Sequence, residues 1–599
     1  MIKRVQIIFL PIFLAAIALH AQEKMNLMIV CTDKGNEAPK ELLRVPNEFS
    51  SVASIDQFLR REYIKGLWEK GYLAASIDSS KIENNFYKVF LFLGEQYAWG
   101  KLQRNEELPI SLSSIQRKDF LPHKGLLLRP SSFSELSDNL LNQLEENGYP
   151  FASIKIDSSY WIDQLYYARL TVDAGPLYHI DSIHLDTKMN IRPSFLQRYL
   201  GITPNQLYKR SLLMSVSKRI DEAGFMKEFK PWDLSLYGNG ATLNVYVSPQ
   251  KNNRFDLLAG LMPANPLLKG KAQITGEGNM ELNNAFGSGE HVLVNWQQLQ
   301  IQSPRLQLQF QRPYILKSNV GIDVNFNLLK KDSSYLNIFS KWGITYQVDQ
   351  KQEFRFHLLQ NIGNVLNIDT QWVKEKKQLT PFFDYTQTQM SIEWSSNRTD
   401  NRRNPLKGIE WRYQVATGLK KIKKQSEIVS MKLDASGKLY DYARLYEGIS
   451  LSAVQSNTKL IFQQYNKLSA QSTLKLGLQA AWMYGKQLYL NEVYQIGGIN
   501  TLRGFDEESI YASSYAIGTA EYRYFLDKES TVFGFFDAAM VQKKWQQSNT
   551  KGSYWGVGAG VHFFTTSGKF TLVYAMGKSE QQPFGLQRSK IHVGFSTFF

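Results

Sequence analysis

The chain has 599 residues and a formal net charge of +16: too long for one small domain, and basic enough to raise nucleic acid as a partner. The basic residues are scattered and no nucleic-acid module stands out, so nucleic acid is set aside and anionic lipid head groups are the simpler counter-charge. Cys31 is the sole cysteine, which excludes an intrachain disulfide and a cysteine-ligated zinc cluster.

Lys3 and Arg4 precede a mostly apolar run from Val5 to Leu19, ending His20-Ala21-Gln22. A basic start, a short apolar stretch and a small residue at the break read as a secretory signal, residues 1–21. The run is shorter than the roughly 20 apolar residues a spanning helix needs, which argues against a retained anchor. Cys31 does not suit lipidation, because Ile29-Val30 puts no small residue before it. It is expected to pack as a small hydrophobe. No apolar run of spanning length follows the signal. If the chain is integral to a membrane, it must cross as a closed β-barrel, which also satisfies every backbone group in lipid.

The first third repeats. Trp68-Glu69-Lys70-Gly71-Tyr72 recurs as Glu145-Glu146-Asn147-Gly148-Tyr149 and as Asp221-Glu222-Ala223-Gly224-Phe225, with the glycines 77 and 76 residues apart. Each ends a segment of helical period. Leu136, Leu140, Leu141 and Leu144 make the clearest apolar stripe. The glycine is expected as the positive-φ helix C-cap, with the aromatic packing back. Strands follow at Leu73–Ile77, Phe151–Ile156 and Trp232–Tyr237, then at Tyr87–Leu93, Tyr167–Val172 and Ala241–Val247. Further helices are expected near Ser111–Leu121 and Pro193–Leu200, while Pro39–Val45 offers no obvious one. Gly94-Glu95-Gln96-Tyr97 and Gly175-Pro176-Leu177-Tyr178 mark the hand-over between units. The order strand, helix, helix, strand, strand, with Gly-Tyr after the second helix and Gly-x-x-Tyr at the exit, resembles the polypeptide-transport-associated (POTRA) domain. Three α+β units are expected, at 24–97, 98–176 and 177–250. An exposed sheet edge on such a unit can take up a client strand through backbone hydrogen bonds.

From about Asn252 helical periodicity gives way to period two. Leu306-Gln307-Leu308-Gln309-Phe310-Gln311, Val320 to Asn327 and Leu474 to Gln479 alternate apolar and polar residues. One face is aliphatic and aromatic, the other mostly Gln, Asn and Lys. In a membrane barrel the first meets lipid and the second lines a lumen. The 347 residues from 253 to 599 accommodate 14, 16 or 18 antiparallel strands of roughly 9–11 spanning residues each. The first strand is expected at Arg254–Leu261, with Gly260 inside it and Pro263 and Pro266 beyond; the last runs from Lys590 to the terminal Phe599. Glycine weakens a strand and proline ends one, so the seam between first and last strands is expected to be short or poorly paired.

Gly497-Gly498-Ile499-Asn500-Thr501-Leu502-Arg503-Gly504-Phe505 reads as a compact, sharply folded loop. Arg503 is charged at any working pH and needs a carboxylate inside a packed loop. Asp537 interrupts an apolar aromatic strand, Val532-Phe533-Gly534-Phe535-Phe536-Asp537-Ala538-Ala539, where a charge is expensive unless paired. Arg503 is therefore expected to reach Asp537. Leu502-Arg503-Gly504-Phe505 resembles the Val-Arg-Gly-Phe/Tyr tip of the inward-folded loop of the BamA/TamA superfamily of outer-membrane proteins. Phe535-Phe536-Asp537-Ala538-Ala539 resembles that family's Phe-x-Asp-x-Gly strand motif, with Ala539 where glycine is usual. Asp400 to Gly408 resembles its Asp-x-Arg-x-x-Pro-x-x-Gly strand connection, although Pro405 and Gly408 are also ordinary turn formers. Phe599 resembles the C-terminal targeting signal of outer-membrane barrels. The family implies 16 strands, an inward loop around 484–511 and an outer-membrane location with the POTRA units in the periplasm.

No His-Glu-x-x-His pair, Gly-x-Ser-x-Gly elbow or phosphate loop occurs. No enzyme activity, cofactor or metal is expected, and the function reads as mechanical. The resemblance implies an assembly or translocation factor for unfolded outer-membrane or secreted proteins, acting in a lipid and lipopolysaccharide bilayer through a seam that opens sideways. Its three units resemble the layout of the TamA branch. The alternatives are partnership with a periplasm-spanning TamB-like protein in lipid transport between membranes, and a secretion or solute pore.

Overall fold

The computed structural model describes residues 26–33, 46, 49–83, 86–104, 124–262, 273–298, 303–349, 351–402, 404–527, 529–546, 548–565, 568–580, 582–585, 587 and 589–596. The expected signal at 1–21, Pro39–Val45, the helix at Ser111–Leu121, Pro263, Pro266 and Phe599 lie outside the described residues. The described residues form two compact units. One comprises those up to Ile180 together with Asn205–Leu213 and Tyr237–Ala241; the other comprises the remainder.

The first repeat is β1 (Asn26–Cys31), α1 (Val52–Phe58), a π-turn, α2 (Ile64–Glu69), β2 (Ser76–Glu83) and β3 (Phe86–Phe92), with sheet order β1-β3-β2 and β1 parallel to β3. Cys31 is buried in its core with Ile55, Leu67 and Val89. The second is β4 (Ala98–Arg104), α3 (Pro130–Glu146), β5 (Ser153–Ile162) and β6 (Leu165–Asp173), in the same arrangement, β4-β6-β5. The third is β7 (His179–Thr187), α4 (Pro193–Leu200), β8 (Gln206–Leu207), α5 (Arg210–Met214), α6 (Val216–Ala223), β9 (Met226–Tyr237) and β10 (Gly240–Pro249), in the order β8-β7-β10-β9.

The repeated glycines explain the repeat. Gly71, Gly148 and Gly224 all have positive φ, at +87°, +99° and +78°. At the first two, the next amide bonds back into the helix: Tyr72 N to Leu67 O at 3.1 Å, Tyr149 N to Leu144 O at 3.0 Å. This caps carbonyls that a helix end otherwise leaves unpaired. The same glycines then accept the exit tyrosines, Tyr97 N to Gly71 O and Tyr178 N to Gly148 O, each at 2.8 Å. The strands after the glycines differ from the expected spans. β9 begins at Met226, six residues before Trp232, and β2 and β5 run on to Glu83 and Ile162. All three are sheet edges. Charges and Pro231 disguise β9, but an edge strand tolerates both, because its outer N–H groups need no partner strand.

The second architecture is a sheet of sixteen strands, each antiparallel to the next. They are β11 (Arg254–Met262), β12 (Gln273–Asn283), β13 (His291–Gln298), β14 (Arg305–Arg312), β15 (Val320–Lys331), β16 (Tyr335–Gln347), β17 (Gln352–Val365), β18 (Asp384–Asn397), β19 (Gly408–Lys423), β20 (Ser452–Lys467) and β21 (Ser472–Gly485). A small ladder, β22 (Tyr494–Ile496) with β23 (Ile510–Ala512), interrupts the series. Then follow β24 (Ser514–Phe525), β25 (Thr531–Trp545), β26 (Ser548–Thr565), β27 (Gly568–Lys578) and β28 (Lys590–Ser596). Along β18, Gln387, Gln389, Ser391 and Glu393 are buried while Met390 is 74% exposed and Ile392 54%. Polar side chains inside and bare apolar ones outside invert a soluble sandwich and suit a barrel in lipid. Turns such as 348–351 and 468–471 are short at one end. At the other, connections 366–383, 424–451 and 486–513 pack an apolar cluster that includes Val373, Phe383, Tyr442 and Tyr489.

Candidate functional site: the inward loop and the strand seam

The connection 486–513 folds back on itself. Gly497 and Gly498, at φ +115° and +94°, make the turn, and the Thr501 hydroxyl closes it by accepting from Gly497 N at 2.8 Å. Leu502 and Phe505 are buried beside Ile517, Ala539, Val541 and Tyr554. Between them Gly504, at φ +91°, lets Arg503 project alone.

Arg503 Nε donates to Asp537 Oδ2 at 2.8 Å and its Nη2 to Asp537 Oδ1 at 2.7 Å, a two-pronged pair. Its guanidinium lies 3.5 Å from the centre of the Phe535 ring. The third prong, Nη1, pairs with Glu521, whose other oxygen takes Arg523 Nε at 2.6 Å. The Thr519 hydroxyl donates to Asp537 at 2.9 Å. The side chain of Asp537 has no exposed surface and that of Arg503 is 10% exposed. Phe536 faces the other way: it is 44% exposed and packs on Trp555. The structure thus brings Arg503, Asp537 and Phe535 together and leaves Phe536 on the lipid side, as period two requires.

Pairing register explains where the tip rests. Thr519 lies opposite Asp537, Asp537 opposite Gly556, and Gly556 opposite Gly577. This row crosses four strands, and the loop backbone lies directly on its two glycines. A Cβ at Gly556 would sit 2.3 Å from Arg503 O; one at Gly577 would sit 2.4 Å from Gly504 O. Sequence reasoning did not single out Glu521, Gly556 or Gly577. For Glu521 the signal is Thr519-x-Glu521-x-Arg523, three polar residues on one face of β24.

A second anchor holds the loop's first half. Lys420 Nζ and Glu492 Oε1 are 2.7 Å apart with side chains 3% and 2% exposed, and Lys420 also donates to Gln487 O at 2.6 Å. Burial pushes the Glu492 carboxyl up, and Lys420 opposes that shift. In the Asp400–Gly408 connection, Asp400 Oδ1 accepts from the amides of Asn401, Leu406 and Lys407 at 3.0–3.1 Å. Asp400, as well as Pro405 and Gly408, shapes that turn.

β11 and β28 are the two ends of the sheet. They approach within 8 Å between Cα atoms, yet among the described residues no ladder joins them. Among the described residues no further strand is laddered to the outer side of either.

The Omp85 superfamily domain matches residues 284–599. The outer membrane protein assembly factor BamA of Neorickettsia risticii (strain Illinois) is 22% identical over 317 residues, 51% of this chain and 41% of that protein, so the match spans less than half of the relative. The structure of CdiB from Escherichia coli covers 91% of this chain and 96% of that one, at 10% identity and a TM-score of 0.50. BamA from Haemophilus ducreyi lacking POTRA domains 1-3 covers 84% of this chain and 100% of that one, at 14% identity and a TM-score of 0.44. With POTRA-like units before a sixteen-stranded barrel, and a family domain matching more than half its length, the chain belongs to the Omp85 superfamily, as a BamA/TamA-type outer-membrane β-barrel protein with periplasmic POTRA domains.

Proposed function

We propose that the protein inserts client polypeptides into the outer membrane, or passes them across it, through the seam between β11 and β28. The observation that carries this reading is that the two sheet ends come close with no ladder between them among the described residues. Unpaired strand edges template pairing with another chain, which is a hazard in most proteins and a tool here. A client strand added at the seam gains backbone hydrogen bonds before it leaves the barrel, so no polar backbone meets lipid bare.

The periplasmic units receive the client first. Among their outer edges, β2 carries Lys81 and Glu83, and β9 carries Lys227, Glu228, Lys230 and Pro231. β5 ends in Ser158-Ser159-Tyr160-Trp161-Ile162, without charge or proline, and its last three residues are about half exposed. Of these three edges its end is the least guarded, and we take it as the site for strand addition. A free solute pore fits less well, because a loop pinned in the lumen and an apolar cluster of connections obstruct the path. The test is the folding of an unfolded outer-membrane barrel in liposomes with and without this protein. Faster client insertion supports the proposal. Equal rates reject it, and lipid transfer between vesicles becomes the next assay.

A further inference from the structure

Past its tip, the inward loop carries the acidic run Asp506-Glu507-Glu508. The run is tightly folded. Ser509 N and Oγ both donate to Asp506 O, at 3.3 and 2.9 Å, and Glu508 N donates to Gly497 O at 3.4 Å. Glu507 lies over Gly498, where a Cβ would collide with its carboxylate. That leaves Asp506 and Glu508 to reach outward, and they reach opposite ends of the sheet. Asp506 Oδ1 is 2.7 Å from Nζ of Lys590, the first residue of β28. Glu508 pairs with Arg305, the first residue of β14, three strands in from β11. Both basic residues follow connections on the same end of the barrel, β27–β28 and β13–β14.

We infer that Asp506 and Glu508 form a releasable strap across the seam, tying β28 to the strands on the far side through the loop. Parting the seam by moving β28, or by moving β11 to β14 as one unit, breaks one of two ion pairs. Peeling β28 outward pulls Lys590 from Asp506. Swinging β11 to β14 outward together pulls Arg305 from Glu508. The loop cannot simply follow, because its tip is fixed on β24 to β27. The two kinds of anchor differ in burial. Asp537 is fully buried, whereas the strap side chains are 70% exposed for Asp506 and 32–34% for Lys590, Arg305 and Glu508. Exposed pairs are individually weak and salt-screened. The tip is therefore a permanent anchor and the strap a latch that a client or a change of ionic environment releases. This inference rests on the reading that the seam is the working site.

Hydrogen exchange of the β11 and β28 amides tests it, on the full-length protein in lipid nanodiscs without client. Asp506→Asn with Glu508→Gln keeps the shapes and removes both charges. Exchange at Phe255–Leu257 and Ile591–Val593 is expected to rise up to about fivefold, the range allowed by the one exposed ion pair that each opening motion breaks. The charge swap Asp506→Lys with Lys590→Asp, at unchanged Glu508, should return exchange toward the parent value. Raised ionic strength should speed exchange in the parent and not in the doubly neutral protein. Unchanged exchange in the neutral variant overturns the strap; so does a swap that fails to restore protection while the loop tip stays protease-resistant. Unchanged exchange in a protein that inserts client sinks the strap alone; a strap-controlled seam in a protein that inserts nothing sinks the functional reading alone.

Discussion

Arg503→Ala removes the two bonds to Asp537, the pair with Glu521 and the stack on Phe535 in one step. The carboxylates left behind fare differently. Glu521 keeps Arg523 at 2.6 Å. Asp537, with no exposed side-chain surface, keeps the Thr519 hydroxyl at 2.9 Å and the residue-503 amide at 3.4 Å. Breaking a buried pair and stranding one charge costs about 3–5 kcal/mol, and the lost ring contact adds about 0.5–2 kcal/mol. Most of that cost belongs to Asp537, so Asp537→Ala in the Arg503→Ala background should recover part of it. Urea unfolding of the barrel in lipid vesicles, followed by its gel-mobility shift, gives the cycle of two single variants and one double. The coupling expected between the two positions is about 2–3 kcal/mol. Arg503→Ala should also expose the loop to protease. Coupling below about 0.5 kcal/mol, or unchanged loop protection, would refute the reasoning.

The glycine row gives a second expectation. Gly556→Ala and Gly577→Ala push a methyl into the backbone of Arg503 and Gly504 and should dislodge the tip, whereas Gly534→Ala, with its nearest atom 4.0 Å away, should be silent in the same protease assay. On β25 the two aromatic neighbours should separate by face. Phe535→Leu removes the ring under Arg503 and should destabilise the barrel by about 0.5–2 kcal/mol beyond any packing loss, while Phe536→Leu, on the lipid side, should leave loop protection unchanged. A photo-crosslinking residue at Ser159 on β5 should capture an unfolded client more efficiently than one at Ser80 on β2 or Asp233 on β9; equal capture at all three argues against β5 as the docking edge.

The sequence carries the parts of this fold whose causes are local. A glycine cap followed by an aromatic leaves its mark within six residues, so three copies at nearly constant spacing outline the periplasmic units. Alternation in β14, β15 and β21 is equally local, and it separates lumen from lipid before any strand is paired. What escapes is set by neighbours distant in the chain. β9 hides its first half because Lys227, Glu228, Lys230 and Pro231 look like a loop until the strand is seen at an edge. Arg503 and Asp537 stand out because each is a lone charge in apolar surroundings. Glu521 does not, since Glu521-x-Arg523 reads as an ordinary polar face. Gly556 and Gly577 sit in glycine-rich strands, and nothing in Gly556-Val557-Gly558-Ala559-Gly560 says which glycine meets a backbone. The strap is still less legible, because Lys590 and Arg305 lie 84 and 203 residues from their partners.

We propose the seam between β11 and β28 as the working surface. Its most direct test is a reversible lock. After Cys31→Ser, cysteines placed in pairs between Phe255–Leu257 and Ile591–Val593 are screened for disulfide formation, and the best pair is carried into liposomes. Insertion of an unfolded client barrel is then followed with the lock oxidised and again after reduction. Oxidation is expected to abolish acceleration and reduction to restore it. Full acceleration through a locked seam would contradict the proposal and would place the client's path elsewhere.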